Sequence, residues 1–147
     1  MERAAPGRNT AGRMTQENLD VVRAIYSAWQ LGDYRAALER FDEEVEWFGP
    51  PDVSNSGFAR GHEGVRRSLG TWVGAWDDYE FELRELIDSG DRVLAAGWQR
   101  GRGKGSGVEV SEEIFSVWTL RARKVIRQRM FRDRGQALEA AGLPEQP

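Results

Sequence analysis

A chain of 147 residues, 39% hydrophobic and 31% charged, has the usual size and composition of one globular domain. A formal net charge of −3 gives no pull toward nucleic acid or an anionic membrane. The absence of cysteine removes disulfides, thiolate nucleophiles and Cys-ligated zinc, and a single His removes any multi-His metal site. No apolar run approaches membrane-spanning length and no signal-peptide core is present, so the expectation is a cytoplasmic protein without metal or cofactor.

In chain order, residues 1–14 hold Pro, Gly and Asn without a hydrophobic period and read as a disordered tail; Met14, just ahead of the candidate cap Thr15, is the expected natural start. A helix is predicted from Gln16 to Leu31, with Leu19, Val22, Tyr26 and Trp29 on one stripe and Gly32 as its stop. Asp33 caps a short second helix with apolar face Tyr34, Ala37, Leu38 and Phe41. Val45 to Phe48 reads as a strand, and Gly49-Pro50-Pro51 opens a loop to Gly61 that is either a pocket lid or a plain connection. A third helix starts near His62-Glu63 and carries Val65, Leu69, Trp72 and Trp76 on one face. Tyr79 to Ile87 alternates as a strand and ends in the hairpin turn Asp88-Ser89-Gly90-Asp91.

The remainder reads as three long strands, DRVLAAGWQRG, VEVSEEIFSVWTL and VIRQRMFRD, and a terminal helix GQALEAAGL. The glycine and arginine run Arg100 to Gly107 lacks a phosphate-loop pattern and interleaved aromatics, so it reads as a solvated connection. Residues 15–143 form one domain and 144–147 a short tail. Helices ahead of an antiparallel meander must cover one of its faces, which makes the fold class α+β. Both alternation sets of the strand 108–120 carry large apolar residues, Ile114 and Trp118 on one and Phe115 and Val117 on the other. Such a strand needs cover on both sides, hence the expectation of a homodimer through the sheet face.

Four stretches carry a resemblance: VVRAIYSAWQLGDYRAALERFDEEVEW, ARGHEGVRRSL, SGDRVLAAGWQRGRGKGSGVEV and FSVWTLRARKVIRQRMFRDRGQALEAAGL. Together they resemble the nuclear transport factor 2-like superfamily, in its SnoaL-like, polyketide cyclase-like branch. The resemblance implies a cone-shaped, strongly curved, mostly antiparallel sheet wrapped around a long N-terminal helix, with a pocket between. It also implies homodimers through the outer sheet face in many relatives.

Its chemistry must be matched residue by residue, because this fold hosts isomerases, cyclases, dehydratases, epoxide hydrolases and binding proteins. Matched to the ketosteroid isomerases, the general base falls at Trp47 and the late acid near Ser116, while Tyr26 is offset by one residue from the helix Tyr. Matched to the limonene-type epoxide hydrolases, apolar Leu94 and Met130 stand where carboxylates belong. Matched to the SnoaL-type cyclases, Asp133 in MFRDRGQAL falls at the acid/base position, although it equally suits the cap of the last helix. Tyr26, Trp47, Gln128, Met130 and Arg132 are the expected pocket residues, with His62 at the mouth. Of Glu112 and Glu113, which alternate across the strand, one faces inward; Glu113 is the weaker candidate. Two functions follow: a cofactor-independent isomerase- or cyclase-type enzyme acting on an apolar carbonyl compound, or a non-catalytic ligand-binding or dimeric scaffold protein.

Overall fold

The computed structural model of the chain describes residues 6–50 and 57–144. Residues 51–56 of the loop expected to be either a pocket lid or a plain connection, and the last three residues of the C-terminal tail, lie outside the described residues. Helix α1 runs Pro6–Gln30, so its backbone begins well ahead of the predicted Gln16 and takes in much of the stretch expected to be disordered. Proline suits the first turn of a helix, where its missing N–H is not needed, and the Ala, Arg and Met that follow are good helix formers. Helix α2 (Tyr34–Leu38) is capped by Asp33, whose carboxylate accepts from the Ala36 N–H at 3.1 Å.

Strand β1 covers Phe41–Phe48, β2 Phe58–Arg60, helix α3 Gly61–Gly74, β3 Trp76–Ser89, β4 Arg92–Gly103, β5 Glu109–Arg121, β6 Lys124–Phe131 and helix α4 Arg134–Ala141. Phe41 and Trp76, which a helical period places on α2 and α3, are instead the first residues of β1 and β3. Short strand β2 was not expected. The six strands form one sheet in the order β2-β1-β6-β5-β4-β3, antiparallel throughout except that β1 runs parallel to β6. The β3–β4 hairpin turns at Gly90 as the sequence indicates. The β5–β6 turn has Ala122 and Arg123 both at positive φ, 51° and 64°, where Asn-Gly would be the comfortable pair. Arg123 reaches from this turn to Glu17 of α1 at 2.8 Å.

Strict alternation sorts the sheet residues onto two faces. Val45 and Trp47 of β1, Val93 and Ala95 of β4, Trp118 and Leu120 of β5, and Val125 of β6 pack against Val22, Ile25 and Tyr26 of α1 and Val65 of α3. Leu94 and Ala96, Phe115 and Val117, and Phe131 point the other way and pack beneath Ala137, Leu138 and Ala141 of α4. The last carbonyls of α4 are satisfied from the sheet: Ser89 Oγ donates to Ala141 at 2.8 Å and Arg92 Nη1 donates to Ala140 at 2.9 Å. Gly142, at φ 74°, closes the helix in the left-handed conformation. Phe115 and Val117 are thus covered by α4 of the same chain. Cover for the second apolar face of β5 comes from within the chain, and a homodimer through the sheet is not shown. Among the described residues, no helix is long and apolar enough to cross a membrane.

Candidate functional site

Tyr26, Trp29 and Gln30 occur at steps of three and four along α1 and therefore share one helix face. Leu69, Trp72 and Val73 do the same on α3. These two faces meet Trp47, Phe81, Gln99, Ser116, Trp118 and Met130 from five strands around a cavity of about 460 Å³. Exposed Gln30, Tyr34 and Glu80 also line it and mark its mouth. Large rings meeting edge to face, such as Tyr26 with Trp118 at 5.7 Å and Trp47 with Trp118 at 6.0 Å, cannot fill space as branched aliphatics do.

A glycine shapes the cavity wall. A Cβ on Gly97 would lie 2.3 Å from the Phe81 ring and 2.7 Å from the Glu82 carbonyl, so only glycine lets Phe81 lie flat on β4. From there Phe81 stacks on Tyr26, with centroids 5.3 Å apart and planes 11° off parallel.

Two polar groups interrupt the aromatic lining. In the first, Trp118 Nε1 donates to the Tyr26 hydroxyl at 3.3 Å and Gln128 Nε2 donates to Ser116 Oγ at 3.1 Å. Burial pushes the Tyr26 hydroxyl up to about 12, against a smaller downward pull from Trp118 and Ser116. At neutral pH it is therefore a hydrogen-bonding phenol and not a base. Gln128 Oε1 is buried without a partner.

In the second group, Trp72 Nε1 donates to the Tyr79 hydroxyl at 3.4 Å, which donates to Gln99 Oε1 at 3.1 Å. Gln99 Nε2 donates to Glu112 Oε1 at 2.9 Å, and Arg132 Nη2 holds Glu112 Oε2 at 2.7 Å. Desolvation raises the Tyr79 hydroxyl above its ordinary value. Glu112 is the inward acid of its pair, since it bonds Gln99, and Glu113 is exposed on the opposite face.

Of the residues expected in a site, Tyr26, Trp47 and Met130 line the cavity. Gln128 stands behind the lining and touches it through Ser116, while Arg132 bears on it through Glu112. His62 is half-buried away from the lining, its Nε2 bonded to the Phe41 carbonyl at 2.8 Å. Asp133 is exposed and caps α4, with Oδ2 accepting from the Gln136 N–H at 2.8 Å. It does not line the cavity. Sequence reasoning missed Gln99 and Tyr79 and read Ser116 only as a missing acid. Parity was the available signal: Gln99 follows Val93, Ala95 and Gly97 on one face, and Ser116 precedes Trp118. Among the described residues, no cluster of three or more His, Asp or Glu side chains could hold a metal ion.

A long helix laid on a mixed six-stranded sheet, with this strand order, is a nuclear transport factor 2-like fold. The chain belongs to the SnoaL-like domain family, whose profile matches residues 22–128. No curated protein matches the chain. Three solved structures illustrate the likeness. A nuclear transport factor 2-like protein from Burkholderia thailandensis is 25% identical with TM-score 0.74, covering 86% of this chain and 98% of that one. TerC, co-crystallised with polyporic acid, is 23% identical with TM-score 0.69, over 86% and 98%. A protein of ketosteroid isomerase-like fold from Catenulispora acidiphila, in complex with trimethylamine, is 16% identical with TM-score 0.65, over 86% and 97%.

Proposed function

We propose that this SnoaL-like protein binds a small, largely apolar organic molecule in the aromatic cavity and holds one of its oxygen atoms at Tyr26 and Ser116. Hydrogen counting carries the reading. The two hydroxyls own one proton each. Trp118 Nε1 can only donate, so it cannot accept the Tyr26 proton. That proton is left for an acceptor inside the cavity that both residues line, such as a carbonyl oxygen. The lining is aromatic with a few convergent polar groups, as small-molecule sites are. TerC and the Catenulispora protein, with their small organic ligands, support the same reading by analogy. Register shifts in β1, β3 and β6 are the kind of bulge that bends strands, and they support a sheet curled around α1.

Binding without proton transfer is the function favoured. Among the described residues, the one carboxylate on the lining is Glu80, exposed at the mouth and 4.0 Å from Arg100. The engagement of Asp133 in the α4 cap favours a structural role there over an acid/base one.

Calorimetric titration with 4-acetylbiphenyl, an apolar ketone, tests the count. Tyr26→Phe or Ser116→Ala alone still leaves one hydroxyl proton for the ligand and should weaken binding by no more than about threefold. The double variant leaves none and should weaken it about tenfold. Equal affinity in the wild type and the double variant would sink the assignment.

A further inference from the structure

The Gln99 group lines the same cavity as the Tyr26–Ser116 pair but lies well away from it. Ala95 pairs with Ser116 across β4 and β5, and Gln99 pairs with Glu112. The two groups are therefore four residues apart on one face, about 13 Å at the rise of a strand. Between them lie Gly97, overlaid by the Phe81 ring, and Ile114, so the intervening floor is apolar.

The Gln99 amide is held in one orientation. A carboxylate accepts but cannot donate, so Nε2 must face Glu112 and Oε1 must face the Tyr79 hydroxyl. Arg132 fixes the carboxylate in turn. An amide nitrogen carries two hydrogens and an amide oxygen has two lone pairs. After Glu112 and Tyr79 have taken one of each, one N–H and one lone pair of a buried side chain remain. A ligand hydroxyl, which both donates and accepts, matches that remainder. No Lys or Arg lines the cavity among the described residues, so nothing there would neutralise an acidic ligand.

We infer that Gln99 is a second polar pole of this cavity, and that the preferred ligand is a neutral, elongated two-ring aromatic with a carbonyl oxygen at one end and a hydroxyl at the other. The inference rests on the binding role proposed for Tyr26 and Ser116 and adds to it the length and second function of the ligand. Glu112 and Arg132 are positioning residues in this scheme, acting through Gln99.

The test compares two compounds that differ only at the far end, 4-acetylbiphenyl and 4-acetyl-4′-hydroxybiphenyl, by calorimetric titration of the full chain. The wild type should bind the hydroxylated compound about tenfold tighter, as one good hydrogen bond in a buried setting gives. Gln99→Leu should erase that preference, so that the two compounds bind with equal affinity. Glu112→Gln, which can donate as well as accept and so frees the Gln99 amide to turn, should reduce the ratio of the two affinities severalfold. It serves if Gln99→Leu does not fold, and a purely structural role for Glu112 would move both compounds together. A wild type without the preference, or a preference unchanged in either folded variant, overturns the inference while the Tyr26–Ser116 reading stands. Failure of both compounds to bind the wild type overturns both. Binding that the Tyr26→Phe/Ser116→Ala double variant leaves intact overturns the first reading and, with it, the two-pole scheme.

Discussion

On the α1 side of the sheet the packing is done by rings and carries buried hydroxyls and amides; on the α4 side it is done largely by alanine, leucine and valine. Trp118, Tyr26, Trp47 and Trp29 meet at centroid distances near 6 Å and leave a cavity. Leu94, Ala96 and Val117, with Phe115 and Phe131, pack directly against Ala137, Leu138 and Ala141. One sheet thus carries a face suited to holding a guest and a face suited to holding itself together. The difference lies in side-chain shape, because the backbone is shared.

If that division is right, variants should separate stability from binding according to face. Trp118→Ala removes the largest fully buried side chain and the donor to Tyr26, and should cost about 4 kcal/mol of stability together with ligand binding, read by urea unfolding and titration. Leu138→Ala, on the other face, should cost about 3 kcal/mol while leaving the affinity of the folded protein unchanged. Equal loss of affinity in both variants would break the comparison.

Alkaline titration sharpens it. The Tyr26 hydroxyl ionises near 10 when unfolded and near 12 when folded, so between those pH values the native state holds the extra proton. Stability contributed by the neutral phenol is complete below pH 10 and is lost as pH rises through 12, about 3 kcal/mol in all. Unfolding measured from pH 9 to 12 should show this loss in the wild type and not in Tyr26→Phe.

The smallest effect belongs to Asp133. Asp133→Ala should cost about 1 kcal/mol through the lost cap, and Asp133→Asn only a few tenths, with no change in ligand affinity in either. A large affinity loss in Asp133→Asn without a stability loss would return this residue to the site.

Much of the fold was legible because periods and stops agreed: the α1 stripe ending at Gly32, the alternation through β4, β5 and β6, and the turn at Gly90. What was not legible depended on partners distant in the chain. Phe41 fits the apolar face of α2 as well as the start of β1, and only its pairing with Val125 decides. The second apolar face of β5 looked like a demand for another molecule because α4, a short helix of weak amphipathic pattern, gave no sign of which face it would cover. Within the site, Tyr26 and Trp47 stood out as large rings on the right elements. Gln99 and Ser116 read as polar interruptions of apolar strands, and only parity with Ala95 and Trp118 turns them inward. For Asp133, a helix cap and a catalytic acid have the same local sequence, so only its exposure and its bond to Gln136 distinguish them.

The Ala122–Arg123 turn has a kinetic consequence. Two consecutive residues with side chains held at positive φ are rare in an unfolded chain, so the turn does little to start the β5–β6 hairpin. Closure must instead be driven by strand contacts, with Leu120 meeting Val125 and Trp118 meeting Gln128, and by the arrival of α1, whose Glu17 holds Arg123. Because β6 also pairs in parallel with β1, far away in the chain, the centre of the sheet is assembled from contacts of long sequence separation. Such contacts carry the greatest loop-closure entropy, which sets the centre of this sheet as the slow step of folding.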